Sequence, residues 1–236
     1  MTSHIVRGFD ADLDRLHEVI ASMGGHAERM IANAVSALVR VDREAAAAVI
    51  ASDAMLDDAQ RELDDRAVAT IARRQPMAAD LREIIAAMRI AAELERIGDL
   101  AKSVAKRVPA VASVTRPQGY GHGMSAIAEL VMLQLKSVLD AYAVRDPSRL
   151  RAMRDRDEEV DRLYTSLFRE LLTHMMEDPR LITASTHLLF CAKNIERIGD
   201  HATNIAESVY LLATGQPMDP ERLKGDESHA IGGAGR

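Results

Sequence analysis

The chain is almost without aromatic residues: Trp is absent, and Phe, Tyr and Trp together make up 3% of its 236 positions. Strands draw heavily on aromatic and β-branched side chains, so this composition argues against a sheet protein and suits a bundle of Ala, Leu, Ile and Met helices. Cysteine occurs once, as Cys191, which excludes a disulfide framework and reads as a buried, inert thiol. No stretch reaches the roughly 18 uninterrupted apolar residues of a membrane span. The opening segment, MTSHIVRGFDADLDRL, has no apolar centre of a secretion signal. A soluble, cytoplasmic protein is expected. Excess positive charge is also missing: the formal net charge is −6, which provides no basic footprint for nucleic acid or an anionic membrane.

The signatures of common enzymes are missing as well. There is no P-loop, no His-Glu-x-x-His and no nucleophile elbow. None of the eight histidines has a Glu three positions before it, so the Glu-x-x-His pairs of carboxylate-bridged di-iron bundles are absent.

What is present is a repetition. The pentapeptide Glu-Arg-Ile-Gly-Asp occurs at residues 95–99 and again at 196–200. At about 100° per residue, Ile90, Leu94, Ile97, Ala101 and Val104 fall on one side of a helix, with Glu95 and Asp99 turned away. Cys191, Ile195, Ile198, Ala202, Ile205 and Val209 draw the same stripe around Glu196 and Asp200. A glycine inside a helix costs roughly 1 kcal/mol against alanine. Keeping one twice beside an Asp therefore implies a close approach by a neighbouring helix or by bound ions at Gly98 and Gly199.

The repetition extends along the chain. Asp42, Asp53 and Asp57 recur as Asp146, Asp157 and Asp161, and Gln75-Pro76 recurs as Asp178-Pro179. Periodic segments run over residues 9–41, 43–74, 78–107, 124–144, 147–176 and 180–214, which predicts six long helices. A tandem duplication of a three-helix unit accounts for this order. The expected architecture is all-α: two tandem antiparallel three-helix bundles, over 1–109 and 124–214, a Pro- and Gly-containing linker over 110–123, and a disordered tail over 215–236.

Each repeat also carries a second acidic pair at the same i, i+4 spacing, Asp53 with Asp57 and Asp157 with Asp161. If the helices pack antiparallel, four carboxylates converge in each repeat. Such a group repels itself unless a cation neutralises it, and hard divalent or trivalent metals take all-oxygen ligand sets. One pair alone is more simply a solvated helix face, with Arg96 or Arg197 as its counter-ion. Asn204, one turn after Asp200, adds a carbonyl oxygen to the second set, whereas the first copy has Ser103 there with Lys102 beside it. A weaker or differently occupied first site is expected. His201 replaces Leu100 of the first copy and reads as a packed or capping imidazole.

The segments RQPMAADLR, ELERIGDLA, DEEVDRLY and NIERIGDHATNIAE, in that order, resemble the PhoU family of phosphate-signalling regulators, over nearly the whole chain apart from its tail. The resemblance implies two three-helix bundles related by pseudo-two-fold symmetry, with metal ions on acidic helix faces. The ligands would be Asp53, Asp57, Glu95 and Asp99 in the first bundle, and Asp157, Asp161, Glu196, Asp200 and Asn204 in the second. The ion would be Fe, Mn, Mg or Zn. It also implies a regulator and not an enzyme, one that links the ATPase subunit of the phosphate ABC transporter to the phosphate-regulon sensor histidine kinase. The membrane would be reached only through those partners. Two readings compete: a metal-independent adaptor whose acidic faces dock basic partners, and a metalloenzyme. A homodimer is expected from the apolar surplus at Leu81, Ile84, Ile85 and Met88.

Overall fold

Long apolar stripes with a 3.6-residue period, interrupted only at short turns, leave the chain one economical way to bury them: helix against helix. The computed structural model describes residues 2–150 and 153–218. In chain order the helices are α1 (Thr2–Arg40), α2 (Arg43–Ser52), α3 (Ala54–Arg74), α4 (Ala79–Ala105), α5 (Val108–Ala112), α6 (Tyr120–Val144), α7 (Met153–Glu177) and α8 (Ile182–Thr214). No strand occurs among the described residues. In the first bundle α1, the α2–α3 rod and α4 pack together; in the second, α6, α7 and α8 do. The two bundles join along α4 against α8 and α1 against α6, so one hydrophobic core runs through both.

Both stripes read from the sequence lie in that core, from Ile90 to Val104 on α4 and from Cys191 to Val209 on α8. Burial pushes the Cys191 thiol up to about 12, which keeps it protonated. Of the four residues expected to form a self-association face, Ile84 lies fully within the core and Met88 packs against it; only Leu81 and Ile85 are exposed. The reason is that α4 is covered on several sides, by α1, α3 and α8.

The duplication is also visible in the backbone. Val41 and Arg145 both adopt left-handed conformations, with φ of 59° and 52°. Each is followed by an Asp whose N–H closes the preceding helix: Asp42 donates to the Ala37 carbonyl and Asp146 to the Ala141 carbonyl. The Asp42 carboxylate then accepts from Ala45 N–H at 2.9 Å and that of Asp146 from Ser148 N–H at 2.9 Å. This repeated Asp is a cap, which separates it from the other recurring acids.

Three features differ from the expected boundaries. The second rod is divided at Asp53, although Asp53 itself keeps right-handed helical angles. His26 on α1 lies 2.9 Å from the Ser52 carbonyl, so its Nε2–H satisfies an acceptor at the break. The segment over 110–123 begins inside a short helix: Pro109 sits in the first turn of α5, where a missing N–H is harmless, and Val108 and Val111 are fully buried. Finally, Gly215 ends α8 and Met218 packs against the core, while the rest of the expected tail, 219–236, lies outside the described residues.

Candidate functional site

The two glycines explain how the acidic helices reach their neighbours. A Cβ on Gly98 would lie 2.3 Å from Leu56 Cδ1 of α3 and 3.7 Å from Asp53 Oδ1. A Cβ on Gly199 would lie 3.0 Å from Gln134 Oε1 and 3.6 Å from Val131 Cγ2 of α6. Both are close-approach positions between helices. In the first bundle the approach brings the Asp53–Asp57 segment against Glu95 and Asp99.

Asp53 is the most enclosed of the eight acids, with 3% of its surface exposed. Its carboxylate is held by Lys102 Nζ, which also donates to Asp99 Oδ1 at 3.3 Å. The hydrogen bond to Asp53 holds the Lys102 ammonium above the usual lysine range. Glu95 lies beside the group: burial, followed by the charges of Asp99, Asp57 and Asp53, raises its pKa, while Arg96 opposes the rise. The four acids of the first repeat thus share one electrostatic neighbourhood, with a lysine inside it.

The second repeat brings its four acids together in the same way. Burial and then the charges of Asp161 and Asp200 push Asp157 up to about 6; Glu196 adds to the rise and the Gln134 amide pulls against it. Glu196 is also raised by burial and by Asp200 and Asp161, although Lys193, 2.7 Å from both its oxygens, works the other way. The position corresponding to Lys102 is Thr203, which is buried and carries no charge. Gln134, fully buried on α6 between Gly199 and Asp157, is a neighbour that periodicity alone did not single out.

Asn204 faces the other bundle. Its amide donates to Glu93 Oε2 on α4 at 3.0 Å, and His201 Nδ1 lies 2.7 Å from the same oxygen. Burial alone would raise Glu93, but the bonds from His201 and Asn204 outweigh it and leave the carboxyl below its usual range. His201 is therefore a tie between the bundles, and Asn204 shares it through its amide nitrogen.

Among the described residues, no group of three or more His, Cys, Asp or Glu side chains is arranged to hold a metal ion. The second set nonetheless fits a hard cation chemically. Its donors are all carboxylate oxygens, and burial, followed by their mutual repulsion, raises the pKa of Asp157. The first set fits less well, because Lys102 stands between two of its members.

A cleft of about 930 Å³ lies elsewhere, at the meeting of the α1 end, residues 114–119 and the start of α6. An apolar groove of about 300 Å³ lies between the start of α4 and the last turns of α8, lined by Leu81, Ile85, Leu211 and Leu212 with Arg82 and Arg89. No helix among the described residues is long and apolar enough to cross a membrane.

The family model of the PhoU domain matches the chain twice, over residues 20–108 and 124–209. The chain is 56% identical to the phosphate-specific transport system accessory protein PhoU homolog of Rhizobium meliloti, over 98% of its own length and 97% of that protein's. It is 46% identical to the homolog of the same name from Caulobacter vibrioides, covering 96% of this chain and 98% of the other. Its fold is similar to the crystal structure of PhoU from Pseudomonas aeruginosa, with a TM-score of 0.84 and 36% identity over 88% of this chain and all of that one. It is also similar to the phosphate transport system regulatory protein PhoU from Streptococcus pneumoniae, with a TM-score of 0.81 and 26% identity over 89% and 99% of the two chains. With two matched domains, relatives alike over nearly their entire length, and the doubled acidic helix at the centre of each bundle, the chain belongs to the PhoU family.

Proposed function

We propose that this chain is a cytoplasmic, non-enzymatic regulator of phosphate uptake, coupling the ATPase subunit of the phosphate ABC transporter to the phosphate-regulon sensor histidine kinase. The observation that carries the proposal is end-to-end likeness, across both repeats, to proteins named as accessory to phosphate-specific transport. The absence of a basic footprint in the sequence supports protein partners over nucleic acid.

The regulatory surface in this reading includes metal ions on the acidic faces, with Asp157, Asp161, Glu196 and Asp200 as the ligand set of the second bundle. A bound cation supplies positive charge that removes the repulsion among these carboxylates and ties α7 to α8. Support comes from the oxygen-only donor set and the raised pKa of Asp157. The metal-independent adaptor remains a second reading, favoured by the internal ion pairs of Lys102 and Lys193. For assembly, a homodimer is proposed through the exposed Leu81 and Ile85 beside the α4–α8 groove; sedimentation at tens of micromolar giving only monomer would remove it.

The functional test replaces the chromosomal copy with an Asp157→Asn, Asp161→Asn, Glu196→Gln, Asp200→Asn chain and follows phosphate-uptake genes in phosphate-rich medium. Metal-linked regulation predicts incomplete repression with the protein present at normal abundance. Full repression supports the metal-independent adaptor.

A further inference from the structure

We infer that Lys102 is the resident cation of the first acidic set and fills the place a metal ion would take there. The inference rests on the metal reading proposed above.

A carboxylate as enclosed as Asp53 needs a counter-charge, since isolated buried charge is strongly disfavoured. Lys102 provides one from within α4. It leaves the helix one turn after Asp99, reaches across the Gly98 contact to Asp53, and keeps a second bond to Asp99. The ammonium lies among the same oxygens that a metal would use. An incoming dication would have to break both ion pairs and then lie within a few ångströms of a displaced ammonium that the same helix holds nearby. In the second bundle, Thr203 occupies the corresponding helical position and brings no charge to Asp200 or Asp157. Lys193 there approaches Glu196 from the preceding turn of the helix. At this one position the two copies of the acidic motif differ by a positive charge.

The test uses the full chain, stripped with chelator and titrated with manganese(II), with bound metal counted by calorimetry and by the loss of the free-ion electron paramagnetic resonance signal. Glu95→Gln with Asp99→Asn leaves the wild-type stoichiometry unchanged, whereas Glu196→Gln with Asp200→Asn abolishes binding. Lys102→Thr, which copies the second bundle, doubles the stoichiometry. Lys102→Met, which keeps the apolar stem of the lysine, has the same effect, and Lys102→Arg keeps the wild-type value. Loss of metal in the Glu95/Asp99 variant, or unchanged stoichiometry in both the Thr and Met variants while they remain folded by circular dichroism, overturns the inference. If the wild-type chain binds no manganese, the metal reading of the second bundle fails. The Lys102 inference is then judged separately, by whether the Thr and Met variants acquire the ion in the first bundle or do not.

Discussion

Replacing Asp157 by Asn separates the two readings of the acidic faces by the sign of a stability change. In the folded chain its carboxyl is pushed from 3.8 up to about 6, first by burial and then by Asp161 and Asp200. A rise of about two pH units corresponds to about 3 kcal/mol at about 1.4 kcal/mol per unit; screening of a partly solvated group reduces it to about 1–2 kcal/mol. Because the folded group holds its proton more tightly than the unfolded one, the native state binds more protons between about pH 4 and pH 6. Its contribution to stability is therefore fully present below about pH 4 and is lost as pH rises through about 6. Asn cannot ionise, so at pH 8 in chelator the variant should be more stable by about 1–2 kcal/mol, or about 2–8 °C in Tm for a chain of this length. At pH 4 the two proteins should melt together. With metal at about 100 times its Kd the order inverts, because the parent gains about 2.7 kcal/mol of linked stabilisation that the variant lacks. Thermal denaturation followed by circular dichroism reads all three conditions. A variant less stable than the parent at pH 8 in chelator would refute the electrostatic reasoning.

Gly98→Ala should destabilise by about 1–3 kcal/mol in urea unfolding, since the new methyl meets Leu56, itself enclosed in the core, at 2.3 Å. At Gly199 the contact is the Gln134 amide at 3.0 Å, which can turn aside, so Gly199→Ala should stay within about 1 kcal/mol of the parent. A stabilised Gly98→Ala chain would show that the helices do not approach closely there. His201→Ala removes a bond to a carboxylate between the bundles and should cost about 1.5–3 kcal/mol in the same assay. Glu93 is held below its usual range, so its contribution is present above about pH 4.5 and lost as pH falls further; Glu93→Gln should flatten the acid limb of the stability profile, and an unchanged limb would contradict the tie.

The core stripes, the six long rods and the duplication were legible because each rests on local periodicity that packing preserves. The division at Asp53 was not. Neither Gly nor Pro marks it, and the group that satisfies the Ser52 carbonyl is His26 on another helix. Pro109 suggested a linker yet sits in the first turn of α5, because Val108 and Val111 have core to cover. The glycines announced a close approach without saying to what, and the answer is Leu56 in one bundle and Gln134 in the other. Lys102 was visible as a departure between the copies, but its reach to Asp53 depends on how α4 meets the α2–α3 rod. The bond from the Asn204 amide to Glu93 was hidden for a related reason: Glu93 comes from the other bundle, and no repeat comparison pairs residues across that boundary.

Whether the acidic face between α7 and α8 holds metal is decided by elemental analysis of the full chain purified from its own host without chelators or metal-affinity columns. Metal binding there requires a first-row or alkaline-earth metal at defined stoichiometry, which disappears in the Glu196→Gln, Asp200→Asn chain while its helical circular dichroism is retained. Metal at background level in the parent, or equal metal in parent and variant, would contradict it.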